Sequence, residues 1–120
     1  MKKILTVDDS PSMRAMIAHT LQSEGFETVE AVDGQQALEL AKNHTFDLII
    51  SDVNMPRMNG IEFVGKARQL TTHQYIPILM LTTESNSDIK AQGKAAGATG
   101  WIVKPFDPVK LVDVVCRVLG

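Results

Sequence analysis

Residues 46–60 read FDLIISDVNMPRMNG. Leu48, Ile49 and Ile50 are the middle of a short apolar run, and a loop with Pro56 and Gly60 comes after it. The run shows no polar alternation. A strand of that kind is covered on both faces, the habit of a parallel sheet held between helix layers. Yet it ends on Ser51–Asp52. A charged carboxylate is expensive to bury and ordinary to expose. Asp52 therefore sits at a border, where it is either idle or in use.

Similar runs recur on either side. β-branched stretches fall at ILTV (4–7), ETVEAV (27–32), DLIIS (47–51), IPILML (76–81) and GWIV (100–103). Between them lie segments with helical spacing. Residues 11–24 carry Met13, Met16, Ile17, Thr20 and Leu21; residues 34–43 come after Asp33–Gly34 and carry Ala37, Leu38 and Ala41. Residues 60–70 carry Ile61, Val64, Ala67 and Leu70, residues 86–96 are Ala-rich and polar, and residues 107–119 carry Leu111, Val112, Val115, Val118 and Leu119. Strand and helix thus alternate five times. The pattern predicts an α/β domain, a five-stranded parallel sheet flanked by five helices. Right-handed crossovers bring the C-terminal end of every strand to one edge. No linker or repeat interrupts the pattern, so residues 1–120 read as a single domain with no second one attached.

The totals agree. With 120 residues, 44% of them apolar, and a net charge of −2, the chain has enough core for one folded domain. It lacks the basic excess of a nucleic-acid binder. Cys116 is the single cysteine, which rules out an internal disulfide and fits a reducing, cytoplasmic setting. The opening MKKILTVDD is too short in apolar residues for a signal peptide, and no run approaches membrane-spanning length. His19, His44 and His73 are far apart, without metal-ligand spacing, and read as surface residues.

The chemistry lies just past the strands. Asp8–Asp9–Ser10 come after the first, Asp52 ends the third, Thr82–Thr83 come after the fourth and Lys104–Pro105 after the fifth. Ligands of open parallel sheets bind beyond the strands' carboxyl ends. Taken singly, each residue has a structural explanation; Asp8 or Asp9 would serve as a helix-start residue before Ser10–Pro11. Together they predict one crevice. Like charges about 4 Å apart repel by roughly 4 kcal/mol at an effective dielectric near 20. Three clustered carboxylates therefore require a proton or a cation among them. Oxygen-only ligands point to Mg²⁺ or Ca²⁺, and a sparse set that leaves room for water and phosphate oxygens favours Mg²⁺. Carboxylate, Mg²⁺, hydroxyl and ammonium together suit phosphoryl transfer.

The segments ILTVDDS, DLIISDVNMPRMNG, ILMLTTE and GWIVKPF together resemble the response-regulator receiver domain family, over essentially the whole chain, and most closely its stand-alone chemotaxis members. The resemblance implies a flavodoxin-like (βα)5 fold with strand order 2-1-3-4-5. It makes Asp52 the phosphoacceptor, Asp8, Asp9, Asp52 and the backbone carbonyl of Asn54 the Mg²⁺ site, Thr82 and Lys104 phosphoryl contacts, and Pro105 a cis-proline that aims Lys104. It also implies a switch rather than an enzyme acting on other molecules, cytoplasmic and monomeric, phosphorylated by a sensor histidine kinase. Its output partner would be the flagellar motor switch or another protein; a phosphate-sink role and a phosphatase partner also belong to the family. Trp101 departs from the usual Tyr or Phe at the switch position, and Thr83 from the usual Ala. Asn54 and Glu84 stand where the family tunes dephosphorylation. The fourth helix, the Trp101 strand and the last helix are the expected partner surface. Gly93 weakens the fourth helix, and Val114 and Cys116 widen the apolar face of the last one.

Two other classes compete. A haloacid-dehalogenase-like Mg²⁺ phosphatase also uses an Asp after a strand, but wants a second Asp where this chain has Asn54. An FMN carrier wants a Gly- and hydroxyl-rich phosphate loop, where Asp8–Asp9 would repel the phosphate.

Overall fold

The computed structural model describes residues 2–55, 58–83, 87–104 and 107–119. In chain order the elements are β1 (Lys3–Val7), α1 (Pro11–Ser23), β2 (Glu27–Ala31), α2 (Gly34–Asn43), β3 (Leu48–Asp52), α3 (Gly60–Ala67), a 3-10 turn (Thr71–His73), β4 (Ile78–Thr82), α4 (Ser87–Ala96), β5 (Gly100–Val103) and α5 (Pro108–Leu119). The strands pair in parallel in the order β2-β1-β3-β4-β5, as expected.

The period of two along each strand sends neighbours to opposite layers. Leu5, Val7, Ile49, Ile78 and Met80 join Ala37 of α2 and Phe63, Val64 and Ala67 of α3 in one core. Ile4, Leu48, Ile50, Leu79 and Leu81 join Ile17 and Leu21 of α1 and Leu111 and Val115 of α5 in the other. Every residue of β3 and β4 is buried, which explains their unbroken apolar reading. The flank of α5 turns partly inward: Val114 packs with the second core, while Cys116 is exposed.

The starts of α1, α2 and α3 are side-chain capped. Ser10 accepts the Met13 N–H at 3.3 Å, with Pro11 in the first helical position. Asp33 accepts from Gln36 N–H, and the Gln36 side chain accepts from the N–H of Val32, the residue before the cap. Asn59 accepts from Glu62 N–H. Because Ser10 caps α1, the carboxylates of Asp8 and Asp9 are not needed for that task. Most boundaries fall within a residue of expectation, and two differ by more. Strand β4 begins after Pro77, which has no N–H to give a ladder. Helix α3 stops at Ala67, and Arg68 folds back to donate to the carbonyls of His73, Ile76 and Gly97.

His73 is a correction: it is fully buried, not on the surface. Its Nε2 accepts the Phe46 N–H at 3.4 Å and its Nδ1 meets the Thr72 hydroxyl at 2.8 Å. Burial, then the charge of Arg68, lowers its pKa from the ordinary 6.5. Below that value the unfolded chain takes up a proton that the folded form resists, so stability falls with falling pH until the folded pKa is passed. We expect the wild type to lose more urea resistance than His73→Gln between about pH 7.5 and about pH 5.5. Equal losses in the two proteins would remove His73 from the acid response.

Candidate functional site

Parallel pairing places the ends of β1, β3, β4 and β5 on one edge, and the acidic residues meet there. One carboxylate oxygen from each of Asp8, Asp9 and Asp52 lies within 4.8 Å of the others. Asp52 is the last residue of β3 and is 7% exposed; Asp8, just past β1, is 1% exposed, and Asp9 is exposed. Among the described residues this is the one cluster of side chains with metal-holding geometry.

Lys104 comes directly after β5, and its backbone N–H donates to the Thr82 carbonyl at 2.8 Å. Its Nζ reaches Asp8 Oδ2 at 3.2 Å and Asp52 Oδ2 at 3.1 Å. One ammonium therefore serves two carboxylates. Burial raises the Asp52 pKa, the hydrogen bond and charge of Lys104 pull it down without cancelling that, and Asp8 pushes it up again; the net shift is upward. For Lys104 burial acts downward, but the hydrogen bond and charge of Asp52, with Asp8 behind them, outweigh it and the pKa is raised. With three carboxylates facing one ammonium, the site is two positive charges short of balance. A hard dication fits such a set of oxygen ligands.

The surroundings are rigid. Asp8 Oδ1 accepts the Ser10 N–H at 2.9 Å. Gly60 donates its N–H to the Val53 carbonyl at 2.8 Å, and a Cβ at this position would overlap the backbone oxygen of Asp52. Only glycine lets α3 start this close to the end of β3. Thr82 ends β4 and is fully buried, one residue beyond Leu81, the β4 partner of Asp52; Thr83 is exposed. Asn54 is exposed in the loop two residues after Asp52. Glu84 and Pro105 lie outside the described residues.

Trp101, in β5, is half-buried and packs against the first core. Its indole lies over Gly93 of α4. The sequence marks both residues but gives no sign of their contact. Nor does it single out Arg14, whose Nη1 donates to the Asp8 carbonyl at 2.7 Å while Nε faces Glu30 Oε1 at 3.5 Å. No local motif announces that role, since the partners come from two other parts of the chain.

Residues 4–116 match the response regulator receiver domain family, and the chain belongs to that family. It is 42% identical over 120 residues to the chemotaxis protein CheY1 of Helicobacter pylori, covering 98% of this chain and 97% of that one. Its structure is similar to chemotaxis protein CheY4 of Vibrio cholerae, with a TM-score of 0.95, 53% identity and 98% of each chain covered. It is also similar to the receiver domain of a sensor histidine kinase of Pseudomonas aeruginosa, which has magnesium coordinated in its active-site cleft (TM-score 0.92, 27% identity, covering 99% of this chain and 98% of that one). These matches make the chain a CheY-like two-component receiver and give no support to the haloacid-dehalogenase-like alternative. No helix among the described residues is long and apolar enough to cross a membrane.

Proposed function

We propose that this chain is a phosphorylation switch in which Asp52 is the phosphoacceptor. The observation that carries the reading is the convergence of Asp8, Asp9 and Asp52 with Lys104 at the sheet's C-terminal edge. Asp8, Asp9, Asp52 and the Asn54 backbone carbonyl would hold Mg²⁺, which supplies charge neutralisation to the phosphoryl oxygens when bound. An Asp52 oxygen attacks the phosphorus of a sensor-kinase phosphohistidine; the P–N bond breaks, and the imidazole leaves with its electron pair and takes up a proton. The product is an acyl phosphate on Asp52. Lys104 exchanges carboxylate partners for phosphoryl oxygens, and the Thr82 hydroxyl donates to the same group. Water attack on phosphorus later restores the carboxylate. The protein thus acts on itself and turns over no separate substrate.

The signal leaves through α4, β5 with Trp101, and α5. The CheY relatives support chemotaxis, with a CheA-like kinase upstream and the flagellar motor switch as output. A phosphate-sink role uses the same chemistry, and the sink is the answer if the phosphorylated form drains the kinase without binding a motor protein.

Acetyl phosphate with Mg²⁺ tests the reading by intact mass. The expected result is a gain of one phosphoryl group per chain, abolished by chelation and decaying without repeated turnover of an aryl phosphate. Absence of a gain with Mg²⁺ present, or steady aryl-phosphate turnover, would overturn it.

A further inference from the structure

Arg14 sits in the first turn of α1, the end of a helix where a cation is unfavourably placed against the macrodipole. Nothing in the apolar pattern of α1 calls for it. The side chain is nonetheless only 15% exposed and is held at two points: Nη1 donates to the Asp8 carbonyl at 2.7 Å and Nε faces Glu30 of β2 at 3.5 Å. Asp8 is at the same time fixed through its carboxylate by Ser10 N–H and Lys104, and through its backbone N–H by the Ala31 carbonyl.

The Asp8 carbonyl shares a rigid peptide plane with the Asp9 N–H. Pinning that oxygen fixes the direction in which the chain enters Asp9. Asp9 is the exposed member of the acidic cluster, so its direction depends on the backbone that carries it. A guanidinium suits this task because its fork serves the carbonyl and the Glu30 carboxylate together.

We propose that Arg14 is a positioning residue of the cation site: by clamping the Asp8 carbonyl against Glu30 of β2, it aims Asp9 at the metal. The inference rests on the reading of Asp8, Asp9 and Asp52 as that site. It predicts a sign opposite to plain electrostatics. Removing a positive charge behind three carboxylates would tighten Mg²⁺ binding by Coulomb attraction. Loss of an outer partner of a metal ligand weakens it, commonly by about 10–100-fold.

Calorimetric Mg²⁺ titration of the wild type, Arg14→Ala and Arg14→Lys decides it, with thermal melts of each metal-free protein alongside. The expected result is binding at least about tenfold weaker in both variants, with lysine failing to rescue because it keeps the charge but not the fork. A folded Arg14→Ala that binds Mg²⁺ as tightly as the wild type or tighter overturns the proposal. So does Arg14→Lys with wild-type affinity, and this arm decides the matter if the alanine variant does not fold. Wild type binding Mg²⁺ no better than Asp52→Asn sinks the site reading itself, and the proposal with it.

Discussion

Asp52→Asn is expected to take up no phosphoryl group from acetyl phosphate and Mg²⁺, while melting at the same temperature as the metal-free wild type or above it. The first half comes from chemistry. Asparagine keeps the shape of the side chain, but its amide oxygen is a poor nucleophile and offers no anionic ligand. The second half comes from the shared ammonium. Asp52 has its pKa raised in the folded state, by burial first. Above both the unfolded and folded values, the ionised carboxylate therefore counts against the native form, and this cost fades as pH falls through the folded value. Removing the charge leaves Lys104 to Asp8 alone, at 3.2 Å. Function and stability then move in opposite directions at one residue, a pattern often seen where a site holds like charges together. Intact mass and a thermal melt at neutral pH check both halves. Uptake by the variant equal to wild type would remove Asp52 from its role. A marked drop in melting temperature would show that Asp52 and Lys104 are a stabilising pair.

Much of the fold and of the acidic edge was legible because both rest on periodicity. Continuous apolar runs such as DLIIS declare buried parallel strands, and parallel strands share an edge. Asp8, Asp9, Asp52 and Lys104 can therefore be grouped before any distance is known. The features hidden from the sequence depend on contacts between distant residues. His73 stands in the polar stretch TTHQY, and nothing nearby shows that Phe46 will donate an N–H to it across the fold. Arg14 looks like a solvated charge until β2 brings Glu30 alongside. Of the two residues that widen the apolar face of α5, Val114 packs with the second core while Cys116 stays exposed, a division the sequence does not show. Gly93 in the sequence signals only a weak helix, and its meaning changes once the ring above it is seen.

Gly93→Ala should reverse its sign with the residue at position 101. A glycine inside a helix costs about 1 kcal/mol relative to alanine, so the substitution is stabilising wherever a methyl fits. Here it does not fit. Gly93 is buried, and a Cβ would overlap Cζ2 of Trp101 and lie 2.7 Å from Cη2 and 3.3 Å from Cε2. Overpacking of this kind costs about 1–3 kcal/mol, which exceeds the gain in propensity over most of that range. With Trp101→Ala the ring is gone, and the same change at Gly93 should recover up to about 1 kcal/mol. The propensity gain is common to both backgrounds, so the coupling between the two positions equals the overpacking cost, on the order of 1–3 kcal/mol, within the range for residues in contact. Urea denaturation of the four proteins measures it through the midpoints at constant slope. Emission gives a second readout, since Trp101 is the only tryptophan: Gly93→Ala should push the indole toward water and shift its emission to the red. Equal destabilisation by alanine in both backgrounds would mean that the ring is not seated on Gly93. If the reversal is found, α4 and β5 are joined at a contact matched in size, an indole against a missing side chain. A signal that moves either element would then have to open that contact first.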